Sequence, residues 1–184
     1  RGFWAFQDVL EKREASAYKD WFQIHFGLDN AHGDGFSYDA WEGHYNLVTL
    51  NVRNPEVADY LMDVVDHWVE QYHLDGLRLD VAYTLDRGFL EHLRAHCDEH
   101  YEDFILLGEI IHGNYGDLLS ETRCHSVTNY ESARGLVSAL NDSNLFEIAH
   151  SLHRLFSDEP WALYCGWPLL SFADNHDIDR VAST

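Results

Sequence analysis

The sequence predicts an α/β protein organised on a parallel sheet, and three observations carry that expectation. Apolar strand-like runs alternate with helical stretches between residues 75 and 177, the pattern of βαβ units. Each run closes on polar side chains: Asp80, Glu109, Asn129 and the Asn175-His176-Asp177 triplet. In parallel α/β folds the carboxyl ends of strands are where ligands bind. The chain has 184 residues and is 46% hydrophobic, enough for one sizeable core and far from the composition of a disordered chain.

Residues 1–53 read as irregular, aromatic and glycine-rich. "FGLDNAHGDGFSYDAWEGHYN" has turn chemistry at Gly33-Asp34-Gly35 and no sustained period. Phe26, Phe36, Tyr38, Trp41 and Tyr45 are too many aromatics for a linker, so this segment is expected to pack as a small excursion beside a ligand site. At Asn54 the pattern changes. Asn54 stands as a helix N-cap, Pro55 at the first helical position and Glu56 in the first turn. Val57, Tyr60, Leu61, Val64, Val65, Trp68 and Val69 then recur at helical spacing. "DGLRLDVA" follows as a strand, "LDRGFLEHLRAHCDEH" as a helix and "FILLGEI" as a second strand. A short helix is expected around residues 115–122, a strand at "HSVTNY", one or two helices over 131–157 and a last strand in "PLLSFADNHD".

A formal net charge of −20 argues against nucleic acid or an anionic membrane as partner. No apolar run approaches the roughly 20 residues of a membrane span. Cys97, Cys124 and Cys165 are odd in number and lack CxxC spacing, which suits reduced thiols, as in a cytoplasmic compartment, better than a disulfide framework or a zinc site. A metal-dependent hydrolase is a competing reading, because the chain carries 13 histidines. No HExxH or HxH spacing is present, and His92, His96 and His100 form a stripe on one helix face without a carboxylate partner.

Within "DGLRLDVA" the alternation separates two faces. Gly76, Arg78 and Asp80 share one, and Leu77, Leu79 and Val81 the other. Glu109 closes the next strand with Ile105 and Leu107 on its own face. Adjacent parallel strands lie about 4.8 Å apart, so two strand-end carboxyls can approach the roughly 5.5 Å that a retaining glycosidase uses for its nucleophile and general acid. An arginine next to one carboxylate favours its charged form, and burial favours the protonated form of another. Carboxyls in such unlike surroundings divide the two roles. The bland alternative is a structural Arg78–Asp80 ion pair.

"DGLRLDVA", "LLGEI" and "FADNHD", in that order, resemble three motifs of the α-amylase family of glycoside hydrolases. "LVTLN" (residues 47–51) is similar to a weaker fourth, and "YKDWF" to the small domain of the neopullulanase and cyclomaltodextrinase branch. The resemblance implies an α/β fold that is part of a TIM (β/α)8 barrel, about strands four to seven. Residues 1–53 would be a small domain inserted after strand three, and 54–184 the partial catalytic barrel. It implies a retaining hydrolase of α-1,4-linked glucans or maltodextrins, working through a covalent glycosyl-enzyme intermediate. Asp80 matches the nucleophile, Glu109 the acid/base and Asp177 the third acid. Arg78, His176 and Asn175 match positions that contact the nucleophile, the sugar and the strand-seven loop.

The chemistry so implied needs no cofactor. Family members often carry a structural calcium, for which Asp29, Asp34 and Asp39 could supply oxygens here, without EF-hand spacing. Departures from the family pattern fall at Thr49, Tyr83, Thr84 and Ile111, which concern the leaving-group side and the subfamily. The chain taken alone is expected to be inactive, with the strand-three motif expected ahead of Arg1. An α-glucan transglycosylase and a non-catalytic carbohydrate-binding relative remain alternatives.

Overall fold

The computed structural model describes residues 1–181, and its first element corrects the reading of residues 1–53 as irregular. Helix α1 spans Trp4–Lys12 and buries Ala5, Phe6 and Val9. No side chain caps its start, and Arg13 ends it at a positive φ of 57°. Strands β1 (Ile24–Phe26) and β2 (Phe36–Tyr38) pair antiparallel, with Ile24 opposite Tyr38. The connection turns where expected, with Gly33 and Gly35 at φ 71° and 74°, values a side chain would oppose. The Arg1 guanidinium grips Asp34 across this turn, with Nη1–Oδ2 at 2.5 Å and Nη2–Oδ1 at 2.9 Å.

Helix α2 (Pro55–Tyr72) begins as the sequence predicts. Asn54 Oδ1 accepts from the Glu56 amide at 3.0 Å, and Asn54 Nδ2 donates to the Asp20 carbonyl at 3.0 Å. The cap thus also ties the helix to the preceding loop. Val57 joins Phe6, Trp21, Phe22, Phe36 and Tyr38 in one buried cluster. The aromatics of this segment are therefore mostly core, packed edge to face as Phe6 and Tyr38 are, at 4.8 Å. These elements make up the first of two units, Arg1–Gln71; the second is Tyr72–Thr184.

The second unit is built on strands β3 (Gly76–Leu79), β4 (Ile105–Gly108), β5 (Ser126–Thr128) and β6 (Leu169–Leu170). They lie in the order β3-β4-β5-β6, and every neighbouring pair is parallel. Helix α3 (Arg87–His100) connects β3 to β4, and α4 (Tyr130–Asn141) and α5 (Phe146–Phe156) connect β5 to β6. The short helix expected at 115–122 is only a 3-10 turn, Tyr115–Asp117. Gly113 precedes it at φ 100°. Leu118 and Leu119 then turn into the core, and Leu119 forms a parallel bridge with Cys124.

Register sorts the two faces of this sheet. Leu79 pairs with Gly108, Gly108 with Val127 and Val127 with Leu169, and this layer packs with buried Leu90, Cys124 and Leu155. The other face carries Arg78 opposite Leu107, and its Ile105 and Leu170 are exposed. Strands β3 and β4 come together tightly at Gly76, where a Cβ would lie 2.4 Å from the Ile105 carbonyl oxygen.

Candidate active site

The carboxyl ends of β3, β4 and β6 bring together the acids singled out in the sequence. The register Arg78↔Leu107, Leu79↔Gly108 sets Asp80 beside Glu109. The Glu109 amide continues the ladder by donating to the Leu79 carbonyl at 2.9 Å. One guanidinium spans all three carboxylates: Arg78 Nη1 lies 3.2 Å from Asp80 Oδ1, and Nη2 lies 2.7 Å from Glu109 Oε1 and 3.9 Å from Asp177 Oδ2. Their surroundings differ in burial, but the guanidinium stands closer to Glu109 than to Asp80, beside which the sequence placed it. The Asp80 side chain is 75% exposed and that of Asp177 47%, whereas Glu109 is 3% exposed.

Burial of a carboxyl requires donors, and Glu109 has them on both oxygens. Oε1 accepts from Arg78 and, at 3.3 Å, from the Tyr130 hydroxyl; Oε2 accepts from the Val81 amide at 3.0 Å. That amide is aimed by a left-handed turn, with Val81 at φ 40°, ψ 42°, a conformation a β-branched residue seldom adopts. Thr84 closes the same turn by donating to the Val81 carbonyl at 2.9 Å. Its hydroxyl therefore faces back onto the chain, and neighbouring Tyr83 packs against the His112 ring at 5.7 Å.

The loop after β6 is pinned at its base by an Arg180–Asp174 ion pair and by the Val181 amide, which donates to Asp174 Oδ2 at 3.1 Å. The Arg180 guanidinium holds the Asp174 carboxyl below the usual carboxylate range. Within the loop Asn175 Oδ1 accepts from the Asp177 amide at 2.9 Å, and Nδ2 donates to the Tyr130 hydroxyl at 2.8 Å. His176 Nε2 sits 3.2 Å from Asp177 Oδ2 with its ring exposed. All six residues named from the sequence therefore belong to one connected cluster.

Two neighbours behave differently from what their positions suggested. Asn129, at the end of β5, is fully buried. It caps α4, its side chain accepting from the Ser132 amide at 3.1 Å, which is structural work rather than a place in the cleft. Tyr130, the next residue, was not singled out in the sequence, yet its hydroxyl touches both Glu109 and Asn175. The available signal was its position, first in the helix directly after a strand end. Burial pushes its phenol up. In the first unit Asp29, Asp34 and Asp39 do not converge on a common point. Asp34 is paired with Arg1, Asp39 with His25, and Asp29 accepts from the Gly35 amide.

Beside this cluster lies a cavity of about 450 Å³, lined chiefly by Ile111, Tyr130, Ala133, Val137 and Ile178 together with Asp177. Ile111 thus forms part of an apolar wall close to the acids.

The chain is similar to Neopullulanase 2 of Thermoactinomyces vulgaris, 39% identical over 187 residues that cover 99% of this chain and 31% of that protein. It is also similar to the intracellular maltogenic amylase of Bacillus subtilis (strain 168), 33% identical over 179 residues covering 95% of this chain and 29% of that one. The chain thus spans about a third of the length of these curated relatives. Among solved structures, the ligand-free cyclic α-maltosyl-(1→6)-maltose hydrolase of Arthrobacter globiformis superposes with a TM-score of 0.83 at 30% identity, over 99% of this chain and 41% of that one. The description "Alpha amylase, catalytic domain" matches residues 2–184. The acids at the ends of β3, β4 and β6 and these relatives agree: the chain belongs to the α-amylase catalytic-domain family.

Proposed function

We propose that the gene product carrying these 184 residues hydrolyses α-1,4-glucosidic bonds of maltodextrins or related cyclic dextrins with retention of anomeric configuration. Family membership makes the parallel sheet part of a (β/α)8 barrel. We assign β3 to β6 to its strands four to seven, and residues 1–53 to a small domain inserted after strand three. The observation that carries the mechanism is the single Arg78 guanidinium reaching an exposed Asp80, a buried Glu109 and Asp177. The names of the relatives, and the maltose complex of the Arthrobacter hydrolase, support the substrate class.

In this reading Asp80 attacks the anomeric carbon while Glu109 gives its proton to the glycosidic oxygen, so that the leaving sugar departs neutral. Glu109 then takes a proton from water, which attacks the glycosyl-Asp80 ester and frees the sugar. The hydrogen bonds support placing that proton on one oxygen. Oε1 meets two donors, Arg78 and Tyr130, and Oε2 only the Val81 amide, so we place the proton on Oε2, which can still accept from that amide. Asp177 and His176, on the exposed loop, grip sugar hydroxyls. Among the described residues the outer edges of β3 and β6 are unpaired, and the isolated chain is expected to fall short of turnover because a barrel works closed.

Proton NMR of the first product released from maltotriose tests the reading. The α-anomer should appear first, and Asp80→Asn should abolish its release while leaving sugar binding in place. First appearance of the β-anomer, or an active Asp80→Asn variant, would overturn it.

A further inference from the structure

We infer that Tyr130 is a positioning residue that carries a hydrogen-bond chain from the Asp177 loop to the proton-donating carboxyl Glu109. The inference rests on the acid role proposed above for Glu109.

The direction of the chain follows from what each group can do. The Asp177 backbone amide can only donate, and it donates to Asn175 Oδ1 at 2.9 Å. This fixes the orientation of the Asn175 amide, so its Nδ2 must face the Tyr130 hydroxyl, 2.8 Å away. Nδ2 also can only donate, so it occupies an acceptor site on the phenol oxygen. The phenol proton is then directed to its other neighbour, Glu109 Oε1 at 3.3 Å. Every donor in the series points the same way, from Asp177 through Asn175 and Tyr130 to Glu109.

Packing holds the middle of the chain still. Tyr130 is 2% exposed, its ring meets Phe172 edge-on at 4.9 Å, and the Arg134 guanidinium lies over it at 5.9 Å. It is the first residue of α4, next to the Asn129 cap, so backbone and ring are both set by neighbours. Tyr130 and Arg78 together commit Oε1 to accepting twice, so the proton goes to Oε2, which meets one donor, the Val81 amide. The same chain makes loop position and acid orientation interdependent. A sugar that moves Asp177 pulls on the group that must protonate its leaving oxygen.

A purely structural tyrosine and a positioning tyrosine differ in which substrates suffer. Tyr130→Phe removes only the hydroxyl. In the gene product that carries this segment it should lower kcat for maltotriose about tenfold, the low end for a hydrogen bond to a charged group. KM should stay within about twofold, because the lost bond acts on proton delivery rather than on sugar binding. Turnover of 2,4-dinitrophenyl α-glucoside, whose leaving group departs without a proton, should change by less than about twofold. Asn175→Ala should show the same bias toward loss on maltotriose, and combining the two changes should cost less than the product of their separate effects. Equal losses on both substrates, or none on either, overturn the inference. A Glu109→Gln variant that still hydrolyses maltotriose at the parental rate would instead overturn the acid assignment itself.

Discussion

Replacing Arg78 by methionine keeps most of the side-chain stem and removes the cation on which the three carboxylates converge. The bond to buried Glu109 at 2.7 Å is charge-assisted and worth about 1.5–3 kcal/mol. The contacts to Asp80 and Asp177 involve carboxylates that are 75% and 47% exposed, so they count as surface pairs of about 0.2–1 kcal/mol each. Together the change should cost local stability about 2–5 kcal/mol. The Val81 amide reports that loss directly, because it donates to Glu109 Oε2. Hydrogen exchange followed by NMR should accelerate roughly 30- to 5,000-fold at this amide, the same free energy expressed as an opening ratio. The Thr49 amide in the other unit, bonded to the Asp39 carbonyl, should not change. Arg78→Lys, which keeps the charge but loses the planar fork, should fall between the two. If Val81 exchange in Arg78→Met stays within about twofold of the parent, Glu109 is held by Tyr130 and Val81 alone and the ionic argument fails.

Thiol chemistry and acid sensitivity give two further tests. Cys165 is exposed while Cys97 and Cys124 are buried, and burial pushes the Cys124 thiol up to about 11. Ellman's reagent should therefore titrate Cys165 quickly in the native chain and the other two only on unfolding; rapid reaction of Cys124 would contradict its burial. Burial, with the Arg94 guanidinium adding to it, holds the His125 imidazole below its ordinary value, and Nδ1 accepts from the Leu106 amide at 3.0 Å, which a protonated ring cannot do. The unfolded chain takes this proton more readily, so the contribution is full above the unfolded value of about 6.5 and is lost as pH falls through the lower folded value. Denaturant midpoints should decline between about pH 7 and 5, and His125→Gln should flatten that slope; parallel slopes would sink the assignment.

The sequence made the second unit more legible than the first. Strands ending in acids announce themselves, because the alternation in "DGLRLDVA" and the run "FILLGEI" are set by local chemistry. The helix at Pro55 was equally plain from its cap. Helix α1 escaped because it has only nine residues, lacks a side-chain cap at Phe3, and opens a segment whose aromatics and glycines suggest irregular chain. Its stability comes from burying Phe6 and Val9 against residues far along the chain, a term no local pattern contains. Tyr130 escaped for a related reason. It lies one strand over from Glu109, and only the pairing of β4 with β5 brings them together.

The left-handed turn at Val81 bears on how this protein can be improved. A valine held at φ 40° stores about 1–3 kcal/mol of backbone strain. Glycine would relieve it, against a somewhat larger entropy loss on folding. A screen that ranks variants by heat resistance alone would therefore have reason to select Val81→Gly. The same substitution gives the peptide freedom to swing its N–H away from Glu109. The stiffness that looks like a defect to a thermostability engineer serves, at this one residue, as the brace for the proton donor. Position 81 is thus one where resilience and turnover are expected to be exchanged for each other.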